Sequence, residues 1–201
     1  KPPVPVFSHC APKVFETKQG FVENSHPRHW KNLFLKHPEL AELRLCLGHA
    51  GGGIDPHKPI ASYGWMAANN DQWENPEKPE NYAKGVVDLC CKYHNVFCDI
   101  SYVTELLGED LIQGKAPVEI LKVNLRKAME TNGSYSFMKK LAYGSDWHML
   151  SVVSKHNTRR YLDTFIALFN QGEFEKYRED FFWRNAYRFL GFYHFESIRA
   201  K

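Results

Sequence analysis

At 201 residues, with 26 basic and 23 acidic side chains and a net charge of +3, the chain can bury one sizeable core and carries no electrostatic footprint for nucleic acid. Hydrophobic residues at 43% and charged residues at 24% match an ordinary globular domain, and no apolar run reaches the roughly 18 residues a membrane span needs. The five cysteines are odd in number and Cys90 and Cys91 are adjacent, which suits neither a disulfide framework nor a zinc knuckle and points to a reducing, cytoplasmic setting.

Four short apolar runs bounded by turn residues are read as strands: Val4 to Ser8, Leu43 to Gly48, Asn95 to Ile100 and Lys140 to Gly144. Their near-continuous hydrophobicity suits strands covered on both faces of a parallel sheet. Helical patterns lie between them. Pro27 to Glu42 opens with a proline suited to a first helical turn and carries Trp30, Leu33, Phe34 and His37 at helical spacing. Pro79 to Tyr93 groups Tyr82, Val86, Val87, Leu89 and Cys90, and Pro117 to Asn132 groups Ile120, Leu121, Asn124, Leu125 and Ala128 before the stop at Asn132-Gly133. Two further helices are expected at about 158–170 and 174–190. Strands alternating with helices predict βαβ units in a single domain spanning 1–201. Two long connections, Gly51 to Lys78 and Tyr102 to Ala116, are expected to wall a pocket. Gly51-Gly52-Gly53 matches neither the dinucleotide fingerprint nor the P-loop and is read as a turn that lets the backbone leave its strand.

The chemistry gathers where the runs end. The first ends in Ser8-His9-Cys10, the second in Gly48-His49-Ala50, the third in Asp99 and Ser101, the fourth in Ser145-Asp146-Trp147. In a parallel barrel these ends share one rim, which carries catalysis, and two imidazoles with a carboxylate suit a divalent transition metal. Each residue has a plainer reading: a hydrogen-bonded histidine at a strand end, an aspartate capping the next helix, an Asp99 that bonds backbone amides. The case for a site rests on their recurrence at equivalent positions of successive units.

In order along the chain, Pro5-Val6-Phe7-Ser8-His9-Cys10, Leu43 to Gly52 with His49, Asn95 to Ser101, and Leu141-Ala142-Tyr143-Gly144-Ser145-Asp146-Trp147 resemble the fifth to eighth strand segments of amidohydrolase-superfamily barrels. Asn185 to Gly191 is similar to the helix that ends them. The branch suggested is the one containing aminocarboxymuconate-semialdehyde decarboxylase and related metal-dependent hydrolases. The resemblance implies an α/β fold, a parallel (β/α) barrel of TIM type with strands 5 to 8 represented here. It implies a divalent metal, zinc first, held by His9 and Asp146. Asp146 would be the catalytic carboxylate that takes and returns the proton of an activated water, and His49 would polarise the substrate. His57, Trp65, Trp147 and His148 would line the pocket for a small-molecule substrate, carboxylate-bearing in the decarboxylase case. Family members open with a His-x-His pair on the first strand. None occurs in this sequence, and His26-Pro27-Arg28-His29 is a poor substitute, so the expectation is the C-terminal half of a longer enzyme; a free-standing half pairing with a copy of itself as a homo-oligomer is the alternative. Hydrolysis, non-oxidative decarboxylation and a non-catalytic binding protein on a barrel-derived scaffold all remain open at this level.

Overall fold

The computed structural model describes residues 4–12, 22–52, 64–69, 71–74 and 81–192. Four parallel strands form one sheet in sequence order, β1 (Val6–His9), β2 (Leu45–Gly48), β3 (Val96–Ile100) and β4 (Leu141–Tyr143). The register pairs His9 with Gly48, Leu47 with Cys98 and Asp99 with Ala142. The protein is therefore α/β with a four-stranded parallel sheet. All four strands lie inside or within one residue of the expected apolar runs.

Seven α-helices accompany the sheet among the described residues: α1 (Pro27–Lys36), α2 (Asp71–Glu74), α3 (Tyr82–Lys92), α4 (Pro117–Met129), α5 (Trp147–Val153), α6 (Asn157–Phe169) and α7 (Asn185–Leu190). Proline at the first turn of α1 and α4 costs no helical hydrogen bond there. The helix expected to reach Glu42 stops at Lys36, because Pro38 cannot continue the ladder and starts a separate 3-10 turn over Pro38–Glu42. His26 caps α1, its Nδ1 accepting from the Arg28 amide at 3.0 Å, and packs on the Tyr82 ring. That pair of contacts gives the His26 to His29 segment a structural explanation.

Strand alternation divides the sheet's side chains. Leu45 and Leu47, Val96, Cys98 and Ile100, and Leu141 enter a core shared with Val86, Cys90, Leu121 and Phe165. Cys46, Phe97, Asp99 and Ala142 face the other way into a cavity. The two central strands are buried along their whole length, whereas edge strand β1 alternates and leaves Phe7 63% exposed. All five cysteines are free and buried, and Cys46 and Cys98 lie within the apolar runs of β2 and β3 as small buried hydrophobes. No helix among the described residues is long and apolar enough to cross a membrane.

The C-terminal segment departs from the single helix expected. A 3-10 stretch (Gly172–Tyr177) and a π-helical turn (Asp180–Arg184) precede α7. The π turn packs against β4 and buries both Asp180 and Phe181. Phe181 stacks on Phe169, and Asp180 meets Lys139 and Arg188. The wider turn brings an ion-pairing residue and an apolar one inward together.

Candidate active site

β1, β2 and β4 each deliver one of the expected residues to the C-terminal edge of the sheet. The His9 and His49 rings meet edge to face, centroids 4.8 Å apart. Asp146, just beyond β4, is close enough to His9 to act on its charge and lines the same cavity as His49. That cavity, about 340 Å³, is also walled by Asp99 and Ser101 from β3 and by Phe97 and Phe189 below. His49, Asp99 and Asp146 share this cavity, whereas His9 touches the His49 ring but is not among the residues that line it.

His49 sits in strained backbone. It has φ 65°, Ala50 φ 46°, and Gly51 and Gly52 follow at 90° and 81°. A left-handed non-glycine residue costs of order 1–3 kcal/mol and persists only where its surroundings hold it. The bonds that hold it come from the end of β3. The His49 amide donates to Asp99 Oδ1 at 3.4 Å, while Nδ1 lies 3.2 Å from the Ser101 carbonyl and 3.0 Å from its hydroxyl. Gly51 is needed where it stands, since a side chain there would lie 2.5 Å from the Ala83 amide nitrogen. Gly51 and Gly52 turn the chain against α3, as the sequence suggested, and Gly53 lies outside the described residues.

Asp146 occupies the N-cap position of α5 with φ 48°, yet its side chain makes no capping bond. The plainer reading of this aspartate as a helix cap therefore lacks its defining contact. Its carboxylate is half-buried at the cavity.

The electrostatics follow from crowding. Desolvation, then the charge of His49, lowers the His9 pKa, while Asp146 pulls it up; the net effect favours neutral imidazole. Burial pushes Asp99 above the usual carboxylate value. The Ser101 hydroxyl, the His49 ring and the His49 amide oppose that shift, and Asp146 adds to it.

Other expected pocket residues fall elsewhere. His57 lies outside the described residues. Trp147 and His148 pack edge to face at the start of α5, with Trp147 65% exposed, and neither lines the cavity. Trp65 is fully buried core, its indole N–H donating to the Ala50 carbonyl at 2.8 Å and its ring stacked on Phe137. Arg44, just before β2, is buried and donates to the Phe189 carbonyl at 3.3 Å, tying the end of α7 beneath the sheet.

A neutral imidazole at His9, a second imidazole whose Nδ1 already has a partner, and a carboxylate free of capping duty are the donor types a divalent transition metal takes. They fit in kind; among the described residues no three His, Cys, Asp or Glu side chains form a group that could hold an ion. No family model, curated protein or solved structure matches the chain.

Proposed function

We propose that the four strands are strands 5 to 8 of a TIM-type barrel and that their rim is part of a metal-dependent hydrolase site of the amidohydrolase kind. The observation that carries this reading is the convergence of His9, His49 and Asp146 on one edge of a parallel sheet, although His9 and Asp146 are far apart in the chain. His9 and Asp146 would hold the ion, with further ligands from outside the described residues. When bound, a divalent ion polarises a carbonyl and eases ionisation of water.

The protein's own groups then have distinct tasks. Asp146 accepts the attacking water's proton and returns it to the leaving group. His49 faces the substrate oxygen with Nε2 and, when protonated there, donates to it as negative charge grows.

The test compares Asp146→Asn with His9→Ala in the full-length protein, measuring bound metal by elemental analysis beside hydrolysis of ester, lactone and amide substrates. Asp146→Asn is expected to lose ~10²–10⁴ in rate, and His9→Ala to lose metal first. Near-normal turnover of Asp146→Asn at unchanged metal content overturns the assignment.

A further inference from the structure

His49 is bonded by β3 at two points, and the two bonds do different things. The amide bond to Asp99 Oδ1 steadies a backbone held at φ 65°. The ring contact to Ser101 selects a tautomer. A backbone carbonyl can only accept, so Nδ1, 3.2 Å from the Ser101 oxygen, must carry a proton to satisfy it. The Ser101 hydroxyl lies 3.0 Å from the same nitrogen. A hydroxyl oxygen has lone pairs to turn toward an N–H, so with Nδ1 protonated for the carbonyl both Ser101 oxygens can accept from it. Nε2, on the far side of the ring, has no protein partner among the described residues.

We propose that Asp99 and Ser101 are positioning residues for His49, fixing its neutral ring as the Nδ1–H tautomer so that the Nε2 lone pair is the one presented to the cavity. This goes beyond the hydrolase reading in assigning β3 a task, and it rests on that reading only for what Nε2 then does. In the neutral state Nε2 is an acceptor, ready to take a proton or bind an ion; it becomes a donor only after it has been protonated. The tautomer is set by the bond the other nitrogen makes, and here that bond belongs to the fold.

Long-range proton–nitrogen NMR correlation on the 15N-histidine-labelled full chain reads the tautomer directly, with the His49 signals assigned by their loss in His49→Gln. The wild type is expected to show a single neutral form, protonated at Nδ1, unchanged by chelator. Asp99→Ala combined with Ser101→Ala frees the His49 amide and removes the hydroxyl, so that the ring can leave the Ser101 carbonyl and should show mixed tautomers or Nε2–H, whereas Asp99→Asn, which keeps an oxygen for the His49 amide, should keep the single form. An Nε2–H wild type, a tautomer that changes on chelation, or a double variant that folds with the wild-type tautomer overturns the proposal. Should the double variant not fold, the wild-type spectrum with and without chelator still decides. A correct tautomer in a protein that hydrolyses nothing would sink the hydrolase reading and leave the positioning role standing.

Discussion

Gly144 and Asp99 compete for one space at the ends of adjacent strands. A Cβ at position 144 would lie 2.8 Å from Asp99 Cγ and 3.0 Å from its Cβ, closer than real side chains approach. Gly144 has no positive φ, so its lack of a side chain serves the carboxylate rather than the backbone. Gly144→Ala should therefore displace Asp99, lengthen its bond to the His49 amide and destabilise the protein by about 1–3 kcal/mol. Urea denaturation and the His49 amide chemical shift check this. A variant with both unchanged would show that the strand ends can part without cost.

Much of this was legible in the residues because the strands are short, apolar and fully covered. Leu45 to Gly48 and Val96 to Ile100 could scarcely be anything but buried strands. The candidate residues His9, His49 and Asp146 were picked out by their place at or just after those runs. Ser101 was visible as a strand-end polar residue, but its contact with His49 depends on inter-strand register and on the reversed backbone at 49, neither of which a sequence period encodes. The break at Asp180–Arg184 was hidden for a related reason. An apolar pattern resembling one long helix is satisfied better when Lys139 and Arg188 can reach Asp180.

Lys140 predicts a pH signature. Its ammonium is buried against the Phe97 and Tyr135 rings, at 4.5 and 4.7 Å from their centroids, and donates to the His94 carbonyl. Burial, helped by Arg188 and opposed by Cys90 and Cys91, lowers its pKa from 10.5 to about 8. The folded form thus binds this proton less tightly than the unfolded chain. The penalty is complete below pH 8 and is relieved as pH rises toward 10.5, so wild-type stability gains over that window. Lys140→Met removes the titration. Its stability advantage or deficit relative to wild type should shift against the variant, by on the order of 3 kcal/mol, between pH 7 and 10.5. Parallel denaturation curves of the two proteins across that range would contradict it.

Asp180 predicts the opposite dependence on the acid side. Burial alone would raise its pKa, but hydrogen bonds from Lys139 and Arg188, and their charges, hold it below the ordinary value. Stability from this group is present above the unfolded carboxylate pKa of about 3.9 and disappears as pH falls through the lower folded value. Asp180→Asn should cost about 2 kcal/mol at pH 7, less than a fully buried pair because Lys139 is half exposed. The cost should vanish by pH 2 to within error, a comparison that urea midpoints at pH 7, 4 and 2 can make.

Tyr161 links the outer helices to the strand end that orients His49. Its hydroxyl is fully buried, donates to the Ile100 carbonyl at 3.1 Å and accepts from the Val103 amide at 3.3 Å. Those two backbone groups bracket Ser101 and Tyr102, and Tyr102 is itself in the left-handed region at φ 56°. The phenol therefore pins both sides of the reversal that aims the Ser101 carbonyl at His49 Nδ1. Tyr161→Phe keeps the ring and its packing on Phe165 and Tyr143 but leaves a buried carbonyl and a buried amide short of a partner. The expected cost is about 1–3 kcal/mol. Amide exchange should quicken at Val103 ahead of β3, since its hydrogen bond is the one removed. If the phenol matters to the site, loss of the single His49 tautomer should accompany that local opening. Unchanged exchange at Val103, with a Tm equal to wild type, would mean that water or a backbone shift replaces the hydroxyl and that Tyr161 orients nothing.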